Sequence, residues 1–211
     1  MRVISAAPKV AHMARLRDLD LTVLIPVKSP QLGKSRLKLS SVERADASWT
    51  LVSNTVHHLA SLHPILVVND HATATWLEPL GQTCWIVAAS GLNDSLAEAY
   101  RQCRSPWVLV AHSDLANPEL VLDLETDAIA TVWRDQHGDG TPLFLLPAGL
   151  EWTFRYGPHS SSHHDADLTD AEIDHVVRDG VPAATDIDNL ADYIVWHQRK
   201  MEGAEAPSIN P

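Results

Sequence analysis

The sequence predicts an α/β fold, a single-domain, mainly parallel mixed sheet flanked by helices. Three observations carry this. Short apolar runs alternate with helix-like segments, the strongest runs are apolar on every residue, and polar or charged residues cluster immediately after them. Continuous apolar strands are buried on both faces, which places helices above and below a largely parallel sheet. In such sheets ligands bind beyond the carboxyl ends of the strands.

The elements follow in order. Leu21-Thr22-Val23-Leu24-Ile25 reads as a buried strand ending at Pro26. Ser40 to Ala60 reads as a helix, with Ser41 and Arg44 near its start and Leu51, Val52, Val56 and Leu59 on its apolar face. Ile65 to Val68 is a second strand, Thr83 to Ala88 a third, and Leu92 to Cys103 a second helix. Trp107 to Ala111 is a fourth strand that runs into His112-Ser113-Asp114. Ala128 to Trp133 and Leu143 to Leu146 are two more, joined by Asp135-Gln136-His137-Gly138-Asp139-Gly140-Thr141. Residues 1–18 read as a loose N-terminal extension, 19–201 as the folded domain and 202–211 as a flexible tail.

At 211 residues, 45% hydrophobic and 20% charged, the chain can bury a sizeable core, which excludes disorder for most of it. Its 16 basic and 27 acidic residues leave a formal charge of −11, which argues against a general nucleic-acid or membrane-surface binder. Cys84 and Cys103 are too few for a disulfide framework or a multi-cysteine metal site. The longest apolar stretches, about ten residues, are too short to span a bilayer. The N-terminus lacks a clean hydrophobic region, so a cytoplasmic protein is expected.

The segment after the first strand holds Lys28, Lys34, Arg36 and Lys38 in an otherwise acidic chain. Cations at the ligand edge could neutralise a nucleoside triphosphate, with Ser35 and backbone N–H groups as further donors. The P-loop spacing is absent, and a solvated basic loop is the plainer alternative. Asp114 follows the fourth strand, and Asp186-Ile187-Asp188 lies near the C-terminus. Residues i and i+2 of an extended segment point the same way, so Asp186 and Asp188 can converge on one cation, and magnesium accepts a few carboxylates plus phosphate oxygens. Singly, each aspartate reads more simply as a turn or helix cap, and the set matters more than its members. Gly138 to Thr141 and Phe154 to Ser161 could offer amides and hydroxyls to an anion, or be ordinary turns. His159, His163 and His164 have i, i+4 spacing suited to zinc, but no H-E-x-x-H motif completes it, and chance clustering among twelve histidines is the simpler reading.

Taken together and in order, these motifs resemble the guanylyltransferases of coenzyme F420 biosynthesis, the CofC/FbiD family, from about Leu21 to Tyr193. The resemblance rests on Pro26-Val27-Lys28 with Lys34-Ser35-Arg36-Leu37, Gly91-Leu92-Asn93, Ser113-Asp114-Leu115, Gly138-Asp139-Gly140-Thr141, Phe154-Arg155-Tyr156-Gly157-Pro158 with Ser160, and Asp186-Ile187-Asp188. It implies a MobA-like nucleotidyltransferase fold. It also implies transfer of GMP from GTP to the phosphate of 2-phospho-L-lactate, phosphoenolpyruvate or 3-phospho-D-glycerate, releasing pyrophosphate. On this resemblance Lys28, Lys34 and Arg36 hold the GTP phosphates and Asn93 lies in the nucleotide segment. Asp114, Asp186 and Asp188 hold Mg2+, and Thr141, Gly157 and Ser160 receive the acceptor.

The chain departs from the family pattern at Ala116, where D-L-P is usual, at Pro142 after Gly-Thr, and at Asn189-Leu190, where Thr-Pro follows D-x-D. The polar groups His112, Ser113, His159 and Ser162 tilt the expected acceptor towards the hydroxylated 3-phospho-D-glycerate. A homodimer and direct hand-over of the product to the next transferase of the pathway are left open. The competing readings are a related nucleotidyltransferase with another base or acceptor (a sugar 1-phosphate or molybdopterin), and a catalytically silent binding protein of the same fold.

Overall fold

In the computed structural model, residues 13–30, 39–89, 91–127 and 129–205 are described. Strand β1 is a two-residue piece, Ala14–Arg15, and β2 spans Leu21–Pro26. Helix α1 (Ser41–Leu59) leads to β3 (Ile65–Val68), α2 (His71–Leu77) and β4 (Thr83–Ile86). Helix α3 (Leu92–Gln102) then leads to β5 (Trp107–Ala111). The second half holds β6 (Glu125–Thr126), β7 (Ala130–Trp133), β8 (Leu143–Pro147), α4 (Ser160–Asp170), β9 (His175–Arg178) and α5 (Leu190–Glu205).

Seven strands form one sheet in the order β4-β3-β2-β5-β8-β7-β9. All neighbours are parallel except β8, which runs antiparallel to both β5 and β7. The chain starts in the middle at β2, winds outward through β3 and β4, then returns to the other side of β2 as β5. That reversal opens a crevice beyond the ends of β2 and β5.

Strand alternation sorts the core into two faces. Val23, Ile25, Leu109, Ala111 and Leu145 pack with Val52, Val56 and Leu59 of α1. Leu24, Val108, Val110, Phe144 and Leu146 pack with Leu96, Ala99 and Tyr100 of α3 and with Leu168 of α4. Each residue of β7, and Leu143 to Leu146 of β8, is buried, as the continuous apolar runs require.

Helix ends follow capping chemistry. Ser40 caps α1 in a reciprocal box with Glu43: the Glu43 N–H donates to Ser40 Oγ at 3.3 Å, and the Ser40 N–H donates to Glu43 Oε2 at 2.9 Å. The Ser40 bonds hold the Glu43 carboxyl below its usual range. Asp70 caps α2 through the Thr73 N–H at 2.7 Å.

The structure shifts the expected boundaries at both ends. Ala14–Arg15 pairs antiparallel with β6, and Leu16 is fully buried in the α1-side core, so residues 14–18 are packed against the domain rather than loose. Helix α5 continues to Glu205, beyond the expected boundary at residue 202. The helices α2, α4 and α5, the strand β9 and the two-residue strands β1 and β6 had no counterpart in the periodicity. Among the described residues, no helix is long and apolar enough to cross a membrane.

Candidate active site

The crevice beyond β2 and β5 is a cavity of about 590 Å³. Its lining includes Lys28, His112, Asp114, Asp135, Tyr156, Gly157, Ser160, Asp186 and Asp188. Of the expected phosphate-binding cations, Lys28 reaches this wall and is exposed to solvent. Lys34 and Arg36 lie outside the described residues, as do Ser35 and Lys38.

Two distant segments bring the aspartates together through backbone pairing. Leu115 and Asp186 form an antiparallel bridge, with the Ile187 N–H donating to Asp114 O at 3.1 Å and the Ala116 N–H to Thr185 O at 2.8 Å. The alanine that stands in place of the usual proline supplies that second N–H, which proline lacks. Asp186 and Asp188 line the cavity while Ile187 between them is buried against Leu51 and Trp196. The bridge at Asp186 thus leaves both carboxylate residues at the cavity and Ile187 in the core. Asn189 caps α5 directly afterwards, its Oδ1 accepting from the N–H groups of Ala191 (2.9 Å) and Asp192 (3.1 Å). Asparagine serves this position as well as the family's threonine. Trp196 of α5 donates its indole N–H to Ala116 O at 2.9 Å, tying the helix to the bridge.

Asp114, Asp186 and His112 present ligand atoms within 4.8 Å of one another, and so do Asp135, Asp186 and Asp188. Asp186 belongs to both sets. His112 Nδ1 lies 3.8 Å from Asp186 Oδ2 and 4.0 Å from Asp114 Oδ1. Asp186 is 6% exposed, and its Oδ1 is buried with no hydrogen-bond partner among the described residues. A buried carboxylate oxygen left without a donor is costly unless a cation completes it. Oxygen ligands converging from two segments suit a hard divalent ion that also takes phosphate oxygens.

Sequence reasoning did not single out Asp135, although it follows β7 at the ligand edge, which was the available signal. Its Oδ1 accepts the N–H groups of His137 and Asp139, both at 2.9 Å, and its Oδ2 that of Gly140 at 2.7 Å. It therefore folds the 135–140 turn and also belongs to one of the two candidate ligand sets. A Cβ at Gly140 would sit 2.4 Å from Asp135 Oδ2, which explains glycine there. Gln136 then clamps the backbone of Asp186 from both sides, donating to its O at 3.1 Å and accepting its N–H at 3.3 Å. The Pro142 carbonyl accepts the His112 N–H at 2.9 Å, so the proline in this loop removes no donor that this contact needs.

Several expected site residues take other duties. Asn93 clips both sides of the Tyr156 backbone, accepting its N–H at 2.7 Å and donating to its O at 3.1 Å. It positions the 154–157 segment against the start of α3, and its amide is engaged there. Thr141 is fully buried, with Oγ1 held between Ser160 Oγ (3.3 Å) and His164 Nδ1 (3.1 Å), behind the cavity wall rather than on it. Gly157, with φ of 139°, and the buried Ser160 do line the cavity. His159 and Ser162 are exposed and off the lining. His159 instead holds Asp139 through its backbone N–H and its ring, keeping that carboxyl below the usual range.

His164 is a packing residue. It is fully buried, stacked on Phe144 with ring centroids 4.6 Å apart, and its Nε2 accepts the Arg155 N–H at 3.2 Å. Nε2 is therefore the unprotonated nitrogen, and Nδ1 carries the proton towards Thr141. Burial lowers its pKa from 6.5 to about 3. A depressed folded-state pKa means that the unfolded chain takes up the proton first as pH falls. This contribution is complete above about pH 6.5 and is lost progressively from there towards pH 3. Urea unfolding at pH 7, 6 and 5 should show His164→Gln with a shallower acid loss than the wild type, by up to ~1.4 kcal/mol per pH unit. Equal slopes would contradict the buried neutral assignment.

No protein-family model matches the chain. Two curated relatives do: the phosphoenolpyruvate guanylyltransferase of Roseiflexus sp. (strain RS-1) is 29% identical, with 82% of each chain covered. That of Roseiflexus castenholzii (strain DSM 13941 / HLO8) is 28% identical, over 84% of this chain and 88% of the relative. The chain is similar to these two guanylyltransferases over more than four-fifths of its length. The CofC/FbiD resemblance drawn from its motifs is consistent with that kinship. In fold, the chain is similar to a Desulfovibrio desulfuricans G20 protein described as a nucleotide-diphospho-sugar transferase, at TM-score 0.66 and 15% identity over 90% and 92% of the two chains. It is also similar to the inositol-1-phosphate CTP transferase of T. maritima, at TM-score 0.54 and 13% identity over 86% and 96%. The mixed, mainly parallel sheet is thus a fold shared with these two proteins.

Proposed function

We propose that this chain is a magnesium-dependent guanylyltransferase that moves GMP from GTP to the phosphate of a three-carbon phospho-acid, releasing pyrophosphate, in coenzyme F420 biosynthesis. The observation that carries the reading is the buried Asp186 Oδ1, which has no hydrogen-bond partner among the described residues and lies amid Asp114, Asp188 and His112 at the end of β5. The kinship with guanylyltransferases supports the nucleotide.

The acceptor phosphate is already an anionic nucleophile at neutral pH, so no strong general base is needed. The difficulty is to bring two anions together in line at the α-phosphorus, which makes positioning and charge compensation the main work. Asp114, Asp186 and Asp188 would hold the divalent ion, whose role is to offset the phosphate charge and polarise the reacting phosphoryl group. Lys28 adds a cation beside the end of β2, with Lys34 and Arg36 proposed to join it. Gly157 and Ser160 would face the acceptor.

Phosphoenolpyruvate is the acceptor of choice in this reading, ahead of 3-phospho-D-glycerate. Both curated relatives carry that name, and two of the four groups that favoured a hydroxylated acid, His159 and Ser162, are not on the cavity wall. The test is mass identification of a guanylylated acid after incubating the purified chain with GTP, Mg2+ and each acid in turn. A product with phosphoenolpyruvate in excess of the others supports the reading; a product formed only with a sugar 1-phosphate would replace it.

A further inference from the structure

We propose that the Tyr156 hydroxyl is an acceptor-binding group, donating its O–H to an anionic oxygen of the phospho-acid. The proposal rests on the reading of this cavity as the transfer site and assigns a specificity contact within it. Three observations carry it. Tyr156 lines the cavity, is only 9% exposed, and its Oη is buried without a hydrogen-bond partner among the described residues.

The ring is also fixed before any ligand arrives. It stacks on Phe154 at a 19° interplanar angle, meets His164 edge-on with centroids 4.9 Å apart, and lies 5.2 Å from the His112 ring. Asn93 clamps its backbone from both sides. Tyrosine and phenylalanine would serve these packing contacts equally, so the packing gives no reason for the hydroxyl. A buried O–H on a residue that lines a cavity is normally matched by a partner, and the proposal leaves that partner to the ligand.

The chemistry of that partner follows from the donor. Burial pushes the phenol pKa up, so the group remains a neutral O–H donor across the working range. It stands in one wall with Gly157 and Ser160, close to His112 beside the aspartates. A donor here can receive a carboxylate or phosphate oxygen of a small acid without adding a charge to the repulsion-sensitive centre. A hydrogen bond from a neutral donor to a charged oxygen contributes on the scale of about 10- to 100-fold in affinity.

The test compares wild type with Tyr156→Phe, reading steady-state kinetics and thermal shifts together. Expected is a Tm equal to or above that of wild type, since an unpartnered buried hydroxyl is removed. KM for phosphoenolpyruvate should rise about 10- to 100-fold, with KM for GTP unchanged. Thermal shifts given by phosphoenolpyruvate, inorganic phosphate and pyruvate separate the two oxygen sources. Loss of the phosphate shift in the variant assigns the phosphoryl group, and loss of the pyruvate shift assigns the carboxylate.

An unchanged acceptor KM, a rise confined to GTP, or a lowered Tm would each overturn the proposal, the last by revealing a structural partner for the hydroxyl. Should wild type turn over none of the acids, the guanylyl-transfer reading fails on its own. The thermal shifts still decide whether the hydroxyl meets a small anion, and no shift in wild type with any probe overturns that as well.

Discussion

Asp186→Asn is expected to lower magnesium-dependent pyrophosphate release by ~10²–10³, the scale of one preorganised electrostatic contact in a transition state, without destabilising the fold. The two halves of that expectation have one cause. Asp186 is shared by both candidate ligand sets, and its Oδ1 is buried with no donor among the described residues. With no cation bound, several carboxylates crowd one small volume and repel one another. An amide of the same shape removes one negative charge, so the variant's Tm without metal should equal or exceed that of wild type. The added stabilisation by Mg2+ should shrink, because a ligand that binds only the folded state stabilises in proportion to its affinity. Activity retained within a few-fold would sink the metal assignment. A collapse in Tm would instead make Asp186 a structural residue, as its backbone bonds to Gln136 alone would suggest.

Phe144→Ala should cost about 3–5 kcal/mol in stability, the range for removing a buried aromatic ring. Phe144 is fully exposed to neither solvent nor the sheet edge: it is 0% accessible, in β8 between β5 and β7. Its ring meets Trp152 at 5.8 Å, Phe154 at 6.3 Å and His164 at 4.6 Å between centroids. Phe154 and His164 are also the neighbours that orient Tyr156. The cavity left behind should therefore loosen the acceptor wall as well as the core. Chemical denaturation gives the stability change, and an effect under about 1 kcal/mol would show that this aromatic cluster collapses to fill the space.

The sheet was legible because its strands are written in continuous apolar residues: Trp107–Ala111 matches its expected bounds, and β2, β3 and β8 agree closely. Helix α4 was illegible for the opposite reason. Its buried residues are Ser160, Ser161, His164 and Leu168, so three of four are polar, with Ser160 and His164 bonded to Thr141 and Ser161 to the Gly138 carbonyl. Strand β9 has four half-buried residues at a sheet edge, with His175 and Arg178 at its ends, and carries little periodic signal.

At the candidate site, Asp114, Asp186 and Asp188 could be singled out because carboxylates after strands and at i, i+2 have a simple geometric meaning. What brings them together, the bridge between Leu115 and Asp186, is a long-range pairing that no local pattern encodes. Thr141 and Asn93 show the reverse limit. Their positions in the motifs were visible, but whether a polar side chain faces the ligand or ties two loops together depends on neighbours 19 to 63 residues away in sequence.

The most direct measurement is pyrophosphate release by the purified chain with Mg2+, GTP and phosphoenolpyruvate, against parallel reactions with ATP, with EDTA and with Asp114→Asn. The expected result is release that requires both GTP and the phospho-acid, falls away with EDTA and in the variant, and is weak with ATP. Release that is equal in the Asp114→Asn variant, or none with phosphoenolpyruvate, 2-phospho-L-lactate or 3-phospho-D-glycerate, would contradict guanylyl transfer at this site.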